Sequence, residues 1–191
     1  MAYNIKDVFY LSTSAKIDKT TSGSGTAQLD LSAYIDPIAR GRTKGTGLAV
    51  YKAHFAIQQN NADSEGPDDA ESGVFSYGLL AGLGFGDAAT GDISLSATAL
   101  DMTNSLLIQS GMFYGPKSMI ANASTTTNMW PNTWVEPSID VPYVIVRDNV
   151  CLVYQVQDQT IEDLTLSVRL ECAQISLDQS TLNQLLRTQT V

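Results

Sequence analysis

Residues 164–172 read Leu-Thr-Leu-Ser-Val-Arg-Leu-Glu-Cys, and no other stretch of the chain says more about its fold class. Every second side chain is apolar, and each one between them is polar or charged. Because successive side chains of a strand point to opposite sides, this alternation predicts a β-strand with one face on the core and the other in water. The stretch 48–57 repeats the pattern and is predicted to place on one side Ala49, Tyr51, Ala53, Phe55 and Ile57.

Shorter apolar or alternating segments predict further strands. They cover 5–11, 27–31, 74–80 and 93–99, and residues 106–114 fit either a strand or a short helix. Runs of glycine, proline and small polar residues predict the connections between them. These are a turn at 20–25 and loops at 36–46, 60–73 and 115–138.

A tight hairpin is predicted near the C-terminal end. The segments Tyr143–Arg147 and Val150–Val156 are rich in β-branched and apolar residues, and only Asp148 and Asn149 separate them. Both residues tolerate the positive φ that a two-residue hairpin turn needs. Both arms are apolar on both faces, so we expect them to lie inside the protein.

One helix is predicted, at the end of the chain. Between Asp178 and Arg187 the side chains of Leu182, Leu185 and Leu186 recur at helical spacing. Asp178 or Ser180 is placed to cap its first turn.

Together these segments predict an all-β protein. About eight strands at this spacing, with one short C-terminal helix, are typical of a β-sandwich, and the jelly roll is the expected topology. At 191 residues and 20.5 kDa the chain has the length of one domain, which we expect to span residues 1–191.

The composition is poor in charge. Charged residues make up 16%, whereas there are 18 Ser, 18 Thr, 9 Asn and 11 Gln. The net charge of −9 argues against a general affinity for nucleic acid or anionic membrane. Residues 1–52 carry a net charge of +3 and the remainder −12, which predicts either a locally basic surface or charges that interleave on folding. We find no nucleic-acid motif, apolar membrane-spanning run or signal peptide, and expect a soluble protein.

The candidate catalytic and metal-binding residues are few. His54 is the one histidine, so sites that need several imidazoles are excluded, and no nucleophile motif accompanies it. Cys151 and Cys172 have no metal-ligand spacing and are expected to be buried apolar residues. We therefore predict no catalytic residue, no metal and no cofactor.

The acidic loop is a possible cation site. Asp63, Glu65, Asp68, Asp69 and Glu71 crowd the segment 60–71, and its start resembles a calcium loop. Ser72 stands where such a loop needs a bidentate Glu. A solvated loop and an interfacial cation both stay open.

Two further patterns are weighed against structural roles. Gly82, Gly84 and Gly86 do not match the phosphate-binding spacing, so a turn or a bulged strand end is expected. Trp130, Trp134 and Tyr143, near Asn128 and Asn132, could form a sugar-stacking platform, although core or subunit contacts explain these aromatic residues as well.

The sequence resembles the small jelly-roll coat proteins of tailless icosahedral viruses of bacteria and archaea. The features that carry this resemblance are the predicted strands 48–57 and 164–172, the predicted hairpin 143–156 and the neutral Ser/Thr/Asn/Gln surface. The resemblance implies a virion protein, made in the host cytoplasm, that self-assembles with copies of itself and with other virion proteins. The chain lacks the strongly basic arm that would bind a genome directly.

We therefore expect a capsid subunit without catalytic activity. A tail-tube or decoration protein of a tailed phage is a close variant. A carbohydrate-binding or adhesion module is the alternative from another class, and it predicts a monomer with Trp130 or Trp134 on a concave face. An enzyme is the third possibility, for which we could assemble no set of catalytic residues.

Overall fold

The computed structural model describes residues 8–20, 23–36, 44–59, 73–82, 100–114, 136–158 and 163–189. This part of the chain contains eight strands and one helix. They are β1 (Phe9–Ile17), β2 (Gly23–Asp30), β3 (Lys44–Gln59), β4 (Val74–Ala81), β5 (Leu107–Tyr114), β6 (Tyr143–Ile145), β7 (Asn149–Asp158), β8 (Leu164–Asp178) and α1 (Gln179–Thr188). Among the described helical residues there is no span with the length and hydropathy needed to cross a membrane.

The strands form two antiparallel sheets of four. The first sheet has the order β1-β8-β3-β6 and the second the order β2-β7-β4-β5. The pairs β1·β8, β2·β7, β3·β6 and β4·β5 match the pairing of one long hairpin with β1–β4 in one half and β5–β8 in the other. The added pairs β3·β8 and β4·β7 roll this hairpin into two sheets. This is a jelly roll, so the predicted all-β sandwich with a short C-terminal helix is confirmed.

The core lies between the two sheets. As the alternation predicts, β8 buries on its inner side Leu164, Leu166, Val168, Leu170 and Cys172. They join a single apolar cluster with Phe75 of β4 and Leu152 of β7. Full burial of one such side chain contributes about 1.5–3 kcal/mol, so these rows are what holds the sheets face to face.

A β-bulge in β3 changes which side chains face the core. The register between β3 and β8 shifts between Val50 and Lys52. Val50 and Ala53 belong to the core between the sheets, whereas Ala49 and Tyr51 belong to a separate apolar cluster on the outer side. The prediction that Ala49 and Tyr51 share a face with Ala53, Phe55 and Ile57 is therefore wrong, because the extra residue of a bulge reverses the alternation.

The helix covers one end of the first sheet. Beyond Cys172 the buried side chains of β8 move to the outer face, where Ala173, Ile175 and Leu177 pack beneath Leu182 of α1. The helix begins where an Asp178 carboxylate oxygen accepts the N–H of Thr181 at 2.7 Å, which confirms the predicted cap.

The prediction of a tight hairpin at 143–156 is wrong. β6 pairs with β3 in the first sheet, whereas β7 pairs with β2 and β4 in the second. Residues 146–148 thus cross between the sheets, and the C=O of Asp148 accepts the N–H of Leu31 at 2.6 Å. A hairpin turn and a crossing look alike in the local sequence, and pairing with distant strands decides between them.

Several other boundaries differ from the predictions. β1 continues to Ile17, β2 already begins at Gly23 inside the predicted turn, and 107–114 is a strand. Both cysteines are buried and lie in strands, as predicted. The strand predicted at 93–99 lies outside the described residues.

Candidate functional site

The outer face of the first sheet carries polar side chains in rows across three strands. These are the residues of β1, β8 and β3 that point away from the core, and we call this surface the outer face. Directly opposite residues of paired strands share a face. The register therefore places in successive rows Tyr10–Glu171–Lys52, Ser12–Arg169–His54, Ser14–Ser167–Ala56 and Lys16–Thr165–Gln58.

His54 and Glu171 form the central contact of this face. The His54 Nε2 lies 2.8 Å from the Glu171 Oε1, with 44% of the His54 side chain and 32% of the Glu171 side chain exposed. Arg169 stands opposite His54, and Lys52 stands opposite Glu171. The Glu171 carboxylate thus contacts His54, while the register places Lys52 opposite Glu171 and Arg169 in the next row of the same face. Because the pair is solvated, we expect it to contribute at most about 1 kcal/mol to stability.

This arrangement lacks the geometry of a catalytic triad. A triad places a serine hydroxyl on one ring nitrogen of histidine and a carboxylate on the other. Ser12 and Ser167 lie on the same face as His54, but among the described residues His54 hydrogen-bonds to Glu171 and to no serine hydroxyl. Within the same described ranges, no three His, Cys, Asp or Glu side chains come together as metal ligands. The described contact of His54 is thus a hydrogen bond to Glu171 at the protein surface.

Two shallow depressions lie on the outer face, and Glu171 lines both of them. The larger, of about 580 Å³, contains Tyr10, Ser12, His54 and Arg169. The smaller, of about 390 Å³, lies between Val8 and the segment 136–139, above Tyr51 and Lys52. We call the two depressions together the groove, and we call Val8, Tyr10 and Ile139, the exposed apolar side chains of its lining, the apolar rim.

Large apolar side chains stand exposed around this groove. The exposed fractions are 52% for Val8, 61% for Tyr10, 73% for Ile139 and 75% for Val141. Val8 and Ile139 line the smaller depression, and Tyr10 lines the larger one. Exposed apolar side chains that line a surface depression, as Val8 and Ile139 do here, are typical of a contact site for another molecule.

At the far end of the outer face, charges are paired within the chain. The Lys16 Nζ lies 2.6 Å from an Asp18 oxygen and 3.1 Å from an Asp163 oxygen. These two carboxylates raise the pKa of Lys16, and the backbone N–H of Lys19 with the Lys16 ammonium lowers the pKa of Asp163. At this point a lysine of the basic part of the sequence, Lys16, pairs with a carboxylate of the acidic part, Asp163. The charges therefore interleave here, which is one of the two outcomes that the charge distribution predicts.

The other sequence candidates are spread over the chain. The Tyr143 hydroxyl donates to the C=O of Ser105 at 2.7 Å, and burial raises the pKa of Tyr143 to about 12, which fits the packing alternative for this residue. Gly82 follows β4 in a bend with φ +143°. Outside the described residues lie Trp130, Trp134, Asn128, Asn132, Gly84, Gly86 and the acidic loop 60–71.

Sequence reasoning missed the exposed apolar residues. Ile139 and Val141 stand in the polar segment 136–142 between Pro137 and Pro142, where no periodic pattern marks a core face. Isolated apolar residues in such a segment are the available signal, and it becomes informative once their exposure is known.

No model of a known protein family matches this chain, and no curated protein matches it. Among solved structures it is similar to Merkel cell polyomavirus VP1 in complex with disialyllactose, at 6% identity over 93% of this chain and 97% of that chain, with a TM-score of 0.38. A second similar structure is Merkel cell polyomavirus VP1 in complex with 3'-sialyllactosamine. It is 7% identical over 93% of this chain and 97% of that chain, with a TM-score of 0.39. A third is human polyomavirus 12 VP1 in complex with 3'-sialyllactosamine, which is 7% identical over 90% of this chain and 100% of that chain, with a TM-score of 0.37.

Identities of 6–7% and TM-scores of 0.37–0.39 assign neither a family nor a role to this chain, and the jelly roll follows from its own strand order.

Proposed function

We propose that this chain is a virion structural protein, a capsid subunit that self-assembles into a shell and has no catalytic activity. Its single domain spans residues 1–191, its partners are copies of itself and other virion proteins, and its place is the virion, after synthesis in the host cytoplasm. The resemblance in the sequence favours a tailless icosahedral virus of a bacterium or archaeon.

One observation carries this proposal, the exposed apolar side chains around the outer face of a jelly roll. Val8, Tyr10 and Ile139 remain largely in water although the same chain buries long rows of apolar side chains elsewhere. Covering them is favourable by about 25 cal/mol for each Å² removed from water. A subunit that meets other subunits across this face gains that free energy on assembly.

The composition suits a protein that associates with copies of itself. A surface of uncharged polar side chains forms hydrogen bonds across a contact without the desolvation cost of many ions. One specific contact of standard size buries about 1,600 Å² in total. Closing a shell from many such contacts adds avidity without a new type of contact.

The proposal is tested on the purified chain by size-exclusion chromatography with light scattering and by electron microscopy. We expect closed particles. Tubes or rings instead would favour the tail-tube or decoration variant, and a 20.5 kDa monomer at every concentration would contradict both.

A pair of variants tests the contact face itself. Ile139→Asp should weaken assembly, because it places a charge in the apolar rim. Met102→Asp is the matched control, since Met102 is 57% exposed but does not line either depression of the groove. Equal assembly by the two variants would remove the outer face from the contact.

A carbohydrate-binding module is the second candidate. The Tyr10 ring is exposed in the larger depression beside Ser12, Gln58 and His54, and an aromatic face with polar neighbours suits a sugar ring. Titration of the monomer with an oligosaccharide panel, followed by tyrosine and tryptophan fluorescence, tests it. Saturable binding that Tyr10→Ala abolishes would favour this candidate over the capsid subunit.

A further inference from the structure

β6 is an edge strand that presents backbone groups away from its sheet. It has three residues and pairs with β3 on one side, through Tyr143↔Val50, Val144↔Ala49 and Ile145↔Leu48. In an antiparallel ladder, residues alternate between those that bond the neighbouring strand and those that point outward. An added strand would bond the outward groups, and such edges are natural templates for pairing with another chain.

Gln189 occupies this edge. Its Oε1 accepts the N–H of Val146 at 3.2 Å, and its Nε2 donates to the C=O of Val144 at 2.6 Å. The side chain is a carboxamide, chemically the same group as a peptide unit, and the residue is 3% exposed. It therefore bonds β6 as one peptide group of a fifth strand would.

Thr188, the neighbour of Gln189, is held near this edge by polar contacts. The Ser105 hydroxyl donates to the C=O of Thr188 at 2.9 Å, and the Tyr143 hydroxyl donates to the C=O of Ser105 at 2.7 Å. Ile139 and Val141, the two most exposed large apolar side chains of the described part, lie just before β6. A closed edge thus stands beside a surface that is favourable to cover.

The opposite edge of the same sheet has the complementary direction. β1 and β3 both run antiparallel to β8, and β6 runs antiparallel to β3. β1 and β6 therefore run in opposite directions, so β1 of a second copy beside β6 would continue the antiparallel alternation. β1 carries Tyr10, and Val8 directly precedes it, so exposed apolar side chains lie at both edges.

We propose that the outer edge of β6 docks strand β1 of a second copy of this chain, and that the side chain of Gln189 closes this edge in the free subunit. The contact is head-to-tail: one copy offers β6 and the next offers β1, so within a closed particle successive copies follow one another around each ring of subunits. This inference rests on the proposed capsid function and adds to it the strands that meet and the residue that controls their meeting.

Removing the closing side chain tests the second half of the proposal. Gln189→Ala frees the edge, and we expect the apparent dissociation constant for self-association to fall about tenfold, because a larger fraction of subunits is competent to dock. Gln184→Ala is the matched control, with the same chemical change on the exposed side of α1. Thermal unfolding of both variants checks that each is folded. Self-association that is unchanged or weaker in folded Gln189→Ala overturns the role of Gln189.

Cross-linking tests which strands meet. Ser12→Cys places a thiol on β1 and Val141→Cys places one before β6, while the native Cys151 and Cys172 are buried. With a short bismaleimide, the chain that carries both changes should give a ladder of covalent oligomers. The mixed single variants should give dimers only. Dimers from Val141→Cys alone would show β6 meeting β6 and overturn the head-to-tail contact.

The two proposals fail in different ways. Regular particles that form without a Ser12–Val141 cross-link overturn the edge inference and leave the capsid function standing. A chain that stays monomeric even as Gln189→Ala overturns both.

Discussion

Tyr154 and Gly25 show how single residues tie the two sheets together. The Tyr154 ring lies where a side chain on Gly25 would be, and its hydroxyl donates to the C=O of Lys16 at 3.2 Å. Tyr154 belongs to β7 of the second sheet and Lys16 to β1 of the first. Gly25 is thus a glycine because of a neighbouring ring, not because of a turn, and the sequence carries no local sign of this.

We expect Gly25→Ala to destabilise the fold by about 1–3 kcal/mol, because the added methyl group overpacks against Tyr154. Urea unfolding measures this. Tyr154→Phe should relieve part of the loss in the double variant, since the phenolic oxygen is the atom nearest to the new Cβ.

Gly23 supplies the control for this pair. It has open space around its Cα but a φ of +126°, so Gly23→Ala loses stability through its backbone conformation. Tyr154→Phe should not rescue it. Equal rescue of both glycine variants would contradict the contact.

Among the elements, α1 shows how a local signal and a distant surface cooperate. Asp178 caps its first turn, and Leu182 buries its apolar side against the outer end of the first sheet. A ten-residue helix is marginal in water without such packing. The cap can be read from the sequence, whereas the surface that receives the helix is created by β3, β6 and β8.

The cap makes stability depend on pH. Hydrogen bonds from the Thr181 N–H, and from the Thr181 and Ser180 side chains, lower the pKa of Asp178 in the folded state. Its contribution is therefore complete above the unfolded pKa of about 4 and is lost as the pH falls through the lower folded value. Asp178→Asn keeps the cap without the titration. Between about pH 5 and pH 2, the thermal unfolding temperature should therefore fall more steeply in the unmodified chain than in Asp178→Asn. Parallel plots of unfolding temperature against pH for the two proteins would contradict this.

Leu182→Ala tests how much the packing of α1 contributes. Leu182 is fully buried, so we expect a loss of about 2–5 kcal/mol in the free energy of unfolding. Gln184→Ala, on the exposed side of the same helix, should stay within about 0.5 kcal/mol of the unmodified chain. A similar small loss in both variants would mean that the helix adds little to the fold.

For the molecule as a whole, the nested strand order places the first and the last strand, β1 and β8, side by side. β1 pairs with β8, so Phe9 stands opposite Cys172. β8 in turn pairs with β3, and most of the first sheet therefore needs its last strand. The first sheet can therefore form only after β8, the last strand, has paired with β1 and β3.

We expect folding to be slow for this reason, in milliseconds to seconds or longer, because loops of great length must close before their contacts stabilise anything. Stopped-flow refolding followed by tryptophan fluorescence measures the rate. Complete recovery of the native signal in less than a millisecond would contradict the expectation.

The local chemistry of the chain was enough to predict the strand faces and the helix. Leu164 to Cys172 alternate, and Asp178 stands before helically spaced leucines, because backbone geometry ties such patterns to short-range periodicity. The jelly roll was also predicted, since many short strands with little helix have few ways to bury their apolar rows.

Other features depend on which distant strands pair, and no local pattern encodes that. Residues 146–148 cross between sheets instead of closing a hairpin, since β7 is held between β2 and β4. The bulge before Lys52 turns Tyr51 outward. The Gln189 side chain accepts the N–H of Val146, which directly follows β6 but is 43 residues away in the chain. The groove of the outer face and its exposed rim exist because three strands far apart in the chain lie side by side, and hydrogen bonds between those strands set their register.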